Sequence, residues 1–355
     1  MHFNLRSISA LAVFALLLAC KSESNPNASD SSDDESDTDM TGINPTTTGT
    51  TDSTSTTSNG SDLDSDSGST TSVLPDFQCS RVDFIFVVDN SLSMTDEQAQ
   101  LAQGVPGFVQ AMQNTLPITQ GFRVGVIDTD SYPALGTTEA PLDGCPDDGS
   151  VDCASCDYTL GAFLTKPTSA TDPELSCDFS TMQSYMDGQS ETFANEFGCA
   201  ALVGAEGNPI EQQAGALVAA VGNDMNTTCN DEFLRDQALL VFLIISDEED
   251  NVNNPPEGSG GSLGDPEEWY NAIVAAKNDR PDNVVALGLL GGSPRFDDCE
   301  ELSQGVDGAE QSSRLVNFVE RFPTNFVGSV CSDNYGTFFE DALDAVAEGC
   351  RNFIP

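Results

Sequence analysis

Histidine is almost missing from this 355-residue chain, which has one, His2. That residue falls in an N-terminal segment that reads as a cleaved leader. Ser-His-Asp hydrolysis, Cys-His proteolysis, His-ligated zinc and imidazole proton shuttles all need the ring, so they drop out of the mature protein. Basic residues are scarce too, with 12 Lys plus Arg against 58 Asp plus Glu and a formal net charge of −46. This balance argues against nucleic acid as a partner, because a phosphate backbone is held by Lys and Arg that displace its counterions. Divalent cations and basic protein surfaces are attracted instead. Apolar residues make up only 38% of the chain, and the deficit is concentrated near the N-terminus.

Residues 1–20 read MHFNLRSISALAVFALLLAC, with Arg6 as a basic start, an apolar run from Ile8 to Leu18, and Ala19 before Cys20. This is a secretory signal too short to span a membrane as a helix. Its end, Leu17-Leu18-Ala19-Cys20, resembles the lipobox of bacterial lipoproteins. The resemblance implies that Cys20 becomes the lipidated first residue and that the membrane is met through that anchor alone. Lys21, where Asp would favour inner-membrane retention, points to the outer membrane or surface of a Gram-negative envelope. From Lys21 to about Asp76 the chain is Ser, Thr, Asp, Gly and Asn. It has too little apolar surface to offset its ordering entropy, so 21–76 is expected to be a disordered, self-repelling tether. Within it Asp62, Asp64 and Asp66 mimic the start of an EF-hand loop, but Val73 stands where the closing Glu is needed.

Ten cysteines follow: Cys79, Cys145, Cys153, Cys156, Cys177, Cys199, Cys229, Cys299, Cys331 and Cys350. An even number in an exported chain predicts disulfides, whose connectivity the spacing does not give. Cys153-Ala154-Ser155-Cys156 reads as structural, because no second C-x-x-C and no His is present to complete a metal site.

Residues 77–355 are long enough for one large domain. Val82–Val88 reads as a buried strand, 96–114 as a helix capped by Thr95 or Asp96 and kinked at Pro106, and Phe122–Ile127 as a second strand. An irregular Cys-rich insertion from about Asp128 to Cys177 is expected to contain an edge strand at Tyr158–Leu164. Helical patterns follow near Thr181–Phe197 and Ile210–Val221. Ala238–Ile245, the most apolar run, is the expected central strand. Beyond it a helix at Asp265–Asn278, a strand at Asn283–Leu290, and helices near Ser312–Arg321 and Tyr335–Glu348 complete the pattern. Strands alternating with helices predict an α/β, doubly wound, mostly parallel sheet flanked by helices, which is a Rossmann-like arrangement.

Ligands of open α/β sheets sit beyond the carboxyl ends of the strands. Two polar, acidic loops lie there: Asp89-Asn90-Ser91-Leu92-Ser93-Met94 after the first strand and Ser246-Asp247-Glu248-Glu249-Asp250 after the central one. Carboxylates and hydroxyls without sulfur or imidazole suit a hard cation, Mg²⁺ first and Mn²⁺ or Ca²⁺ as alternatives. The motif D-x-S-x-S-M closing an apolar first strand resembles the metal-ion-dependent adhesion site of von Willebrand factor type A domains, and the element order fits that family. The resemblance implies hydroxyl ligation by Ser91 and Ser93, and ligation by Asp89 and Asp247 directly or through water. It also implies a Thr ligand before a later helix, but Glu211 stands at that place in Gly207–Leu217. A carboxylate there would either ligate the ion from within the chain or favour the helix dipole from solvent. Glu248, Glu249 and Asp250 read as a solvated acidic run, with a second cation site as the alternative. Trp269 is expected to anchor its helix on the sheet.

The function that follows is a lipid-anchored binding module, not an enzyme, that captures a protein through a metal-bridged contact to an acidic residue of the partner. The alternatives are a metal-assisted hydrolase using the same carboxylates and a structural envelope module without metal. Against the hydrolase, Lys166 and Lys277 are the only lysines of the fold and neither lies in a Gly-rich, phosphate-cradling context.

Overall fold

The parallel sheet is built where the sequence is most continuously apolar. A computed structural model describes residues 78–115, 121–130, 156, 159–165, 176–205, 207, 210–251, 261–292, 299–302 and 308–355. In chain order these form β1 (Val82–Val88), α1 (Thr95–Thr115), β2 (Phe122–Ile127), β3 (Met186–Asp187), α2 (Phe193–Ala200), α3 (Gln213–Ala220), α4 (Asn223–Asn226) and β4 (Leu239–Ser246). They continue with α5 (Pro266–Ala276), β5 (Val284–Leu290), α6 (Ser313–Val319), β6 (Thr324–Ser329) and α7 (Tyr335–Asn352). The sheet has six strands in the order β3-β2-β1-β4-β5-β6. Every pairing is parallel except β2 with β3, which is antiparallel.

β1, β4 and β5 are buried at every position. Helices cover both faces of the sheet, so successive side chains enter two different cores and no polar alternation is tolerated. Phe84, Phe86 and Val88 join the core under α1, α2 and α7, where Phe108 of α1 meets Phe339 of α7 with ring centroids 4.4 Å apart. Ile85 and Val87 point the other way, into the core under α3, α5 and α6. Trp269 of α5 belongs to this second core, set edge-on against Phe318 of α6, and its Nε1 donates to the Leu263 carbonyl at 2.7 Å.

Four disulfides brace the described residues: Cys79–Cys350, Cys156–Cys229, Cys177–Cys199 and Cys299–Cys331. Cys156 is therefore structural, as expected. Cys145, Cys153 and most of the Cys-rich insertion lie outside the described residues, as do the leader with Cys20 and the tether.

Three expectations need correction. Residues 159–164 form a turn and a coil, tied to the sheet by the Leu164 amide donating to the Val126 carbonyl at 2.8 Å, and not an edge strand. The edge is the two-residue β3, inside the stretch expected to be helical from Thr181, and the helix begins only at Phe193. β6 was not anticipated, because Thr-Asn-Phe-Val-Gly-Ser is polar and Gly-containing and packs as a half-exposed strand at the far side of the sheet.

Candidate metal centre

The chain leaves β1 for β2 on one side of the sheet and later enters β4 on the other, so the strand order reverses between β1 and β4. A crevice opens at such a switch point because consecutive loops turn away in opposite directions. The β1–β4 register pairs Val88 with Ile245, which sets Asp89 beside Ser246 at the carboxyl ends. The Asp89 amide continues the ladder by donating to the Ile245 carbonyl at 3.0 Å.

The two loops meet through their side chains. Asp89 is fully buried; its Oδ1 accepts the Ser91 amide at 2.8 Å and its Oδ2 accepts the Ser246 hydroxyl at 2.5 Å. Gln213 at the start of α3 donates to Ser246 Oγ at 2.9 Å, and Gln98 of α1 donates to the Asp89 carbonyl at 3.2 Å. Neither glutamine was anticipated; each holds Asp89 or its partner in place from a different helix.

Ser91 precedes and Ser93 lies within a short 3-10 turn (Leu92–Met94) leading into α1, and the Ser91 side chain makes no capping bond to it. Both hydroxyls are buried and turned toward the crevice. Ser93 Oγ lies 2.9 Å from Ser91 Oγ, 3.2 Å from Asp247 Oδ1 and 3.3 Å from Glu248 Oε1. Asp247 is fully buried and its Oδ2 has no hydrogen-bond partner.

Buried carboxylates gathered without a counter-charge resist ionisation. Burial, then repulsion from Asp89, pushes the Asp247 carboxyl up to about 8 and that of Glu248 up to about 7. Asp89 is raised by burial against the hydrogen bonds it accepts. No Lys or Arg side chain figures among the strongest influences on these three groups. Glu97 in the first turn of α1 is raised to about 9 by burial and by a hydrogen bond with Asp96, with Asp247 adding repulsion. A dication bound beside these groups would lower their values.

Glu211 sits beside this set. It bridges antiparallel to Asp130 after β2, and Thr129 donates its hydroxyl to Glu211 Oε2. Its Oε1 is buried without a hydrogen-bond partner, and burial followed by repulsion from Asp89 raises its carboxyl well above the usual range. Gly207 lets this segment approach: its amide donates to the Asn90 carbonyl at 2.7 Å, and a Cβ there would stand 2.5 Å from the Asn90 side chain. Glu211 makes no hydrogen bond to Ser91, Ser93 or Asp247 among the described residues, and Glu248 does meet Ser93. Among the described residues no three acidic, cysteine or histidine side chains converge on one point. The oxygens around Ser93 Oγ are thus one hydroxyl and two carboxylates, with Asp89 holding the Ser91 amide.

The other acids of the β4 loop accept hydrogen bonds from neighbouring elements. Glu249 accepts the Arg314 amide at 2.7 Å and the Leu315 amide at 3.1 Å at the start of α6. Asp250 accepts from the Ala214 amide at 2.8 Å and from the amide and hydroxyl of Ser262, both at 2.6 Å. These two brace the loop that presents Asp247 and Glu248.

The donor set fits a hard dication. Oxygens sharing Mg²⁺ in an octahedron with bonds of about 2.1 Å stand about 3.0 Å apart, and Ca²⁺ allows slightly wider spacing. The contacts at Ser93 Oγ, from 2.9 to 3.3 Å, fall in that range. No helix among the described residues is long and apolar enough to cross a membrane. Comparison with protein-family models and with curated proteins returned no match.

Proposed function

We propose that this chain is an exported, lipid-anchored protein of the bacterial envelope whose folded domain, similar to von Willebrand factor type A domains, binds one divalent cation and through it captures a protein partner. The observation that carries this reading is the crowding at Ser93 Oγ. Oxygens of Ser91, Asp247 and Glu248, from the β1 and β4 loops, meet the Ser93 hydroxyl there, beside an unpartnered buried oxygen of Asp247. Ser91, Ser93 and Asp247 would hold the ion, and Asp89, both of whose oxygens already accept hydrogen bonds, would act on it through water or by orienting Ser91. Mg²⁺ is the first choice, with Mn²⁺ and Ca²⁺ as alternatives.

A bound dication supplies Lewis acidity and positive charge on a surface that otherwise repels acidic groups. The protein's part is to hold the donors rigidly at the switch point and to exclude competing cationic side chains. An acidic residue of a partner could then be accepted by a chain of formal charge −46.

The test is calorimetric titration of Mg²⁺, Mn²⁺ and Ca²⁺ into the oxidised full-length chain and into an Asp89→Ala, Ser91→Ala variant. Saturable one-site binding lost in the variant is expected. Equal heats from two folded proteins would overturn the reading.

A further inference from the structure

Glu248 was expected to be one of three solvated acids. Its backbone is instead pinned: the amide donates to Ser246 Oγ at 3.1 Å, and the Ser312 hydroxyl donates to its carbonyl at 3.3 Å. That anchoring turns the side chain back over the crevice, where Oε1 lies 3.3 Å from Ser93 Oγ. Ser93 is thereby shared between Asp247 and Glu248. Asp247 and Ser93 are buried, whereas Glu248 is half-buried, so it is the donor nearest solvent. Asp247 Oδ2, fully buried and unpartnered, independently marks the crevice as a place that takes a ligand.

We propose that Glu248 is a direct ligand of the cation and closes the solvent-facing position of its shell, so that a partner's carboxylate must displace it. The inference rests on the metal-binding reading above and adds its regulation. A chain-supplied carboxylate at that position has two consequences. It strengthens retention of the bare ion by adding a negative ligand, and it weakens capture of an external acid, because that acid must compete with an arm of high effective concentration. Glu248 thus sets a threshold: only a partner offering additional contacts, or present at high local concentration, removes it.

The experiment compares the oxidised full-length chain with its Glu248→Gln variant, which keeps the side chain's shape and removes a repelling charge. Ca²⁺ affinity is measured by calorimetry. The number of waters on bound Tb³⁺ is measured from luminescence lifetimes in H₂O and D₂O, with acetate as the probe for an external carboxylate. In the variant, Ca²⁺ binding should weaken about tenfold or more and bound Tb³⁺ should gain about one water, as expected for loss of one anionic ligand from a hard-cation shell. Acetate should displace water from the variant's ion at lower concentration than from the wild type. If the wild type takes up no ion, the metal-binding reading fails and this inference goes with it. If both proteins bind Ca²⁺ with the same affinity and hold the same number of waters, the assignment of Glu248 alone is overturned.

Discussion

β1 carries a fully buried aspartate near each end, and the two are treated in opposite ways. Asp83 at the amino end receives the Arg235 guanidinium, whose Nη2 stands 2.6 Å from Oδ1, and the Arg235 amide, which donates to Oδ2 at 2.8 Å. Lys277, also buried, donates to the carbonyls of Arg235 at 2.7 Å and Ala238 at 2.8 Å, closing the cluster. Burial still pushes the Asp83 carboxyl upward, and Arg235 opposes it. Asp89 at the carboxyl end has hydroxyls, amides and other carboxylates around it, and no cationic side chain among its strongest influences. A chain with only 12 basic residues places two of them at the Asp83 end, and none is among the strongest influences on Asp89. Internal neutralisation suits a fold-holding site; its omission, with the same burial, is what the proposed metal site requires.

Breaking the compensated end should have the largest effect. Arg235→Met leaves Asp83 buried and unpaired, which is expected to cost about 3–5 kcal/mol; denaturant unfolding should show it with or without divalent ions. At the uncompensated end the expected sign reverses. Asp247→Asn should leave the metal-free protein as stable as the wild type or more so. It should also abolish the stabilisation by added cation, about 2.7 kcal/mol for a wild-type chain at a hundredfold excess over its Kd. Thermal unfolding with Mg²⁺ or EDTA separates the two outcomes, and a wild type whose midpoint ignores both would break the comparison.

The smallest effect concerns pH in the absence of metal. Asp247, Glu248 and Glu97 have folded-state values raised above those of the unfolded chain, to about 8, 7 and 9. The folded state therefore holds protons that the unfolded state has released. Their contribution is fully present below about pH 4 and is lost as pH rises through 7 to 9. Urea unfolding of the chelated protein should show stability falling from pH 5 to 9. Saturating divalent cation should flatten that slope, because it replaces the protons on Asp247 and Glu248.

Much of this was legible in the chain. Val82–Val88, Phe122–Ile127, Ala238–Ile245 and Asn283–Leu290 are apolar without alternation, which both-face burial demands, and each became a strand within a residue or two. β3 and β6 were not, since an edge strand needs fewer apolar positions and is decided by the neighbour offering a ladder: Val124 pairs with Met186, and Leu287 with Phe326. The site divided in the same way. That Asp89, Ser91, Ser93 and Asp247 lie close together was legible because their loops follow the buried strands β1 and β4. Gln98 and Gln213 carried no signal, being polar residues on helices that happen to face the crevice.

The run Asp247-Glu248-Glu249-Asp250 shows the boundary most sharply. Composition makes all four alike, yet the fold sends Asp247 and Glu248 to Ser93, Glu249 to the amides that open α6, and Asp250 to Ser262 and α3. The sequence by itself determined the alternation of strands and helices, the polarity of the loops at the strand ends and the shortage of cationic side chains, because these depend on local pattern and composition. Which carboxylates are deprived of water, which are neutralised and which are left facing one another was decided only by the tertiary structure, because burial and charge separation depend on residues distant in the chain, such as Ser93 and Asp247, being brought within about 3 Å, the reach of a hydrogen bond.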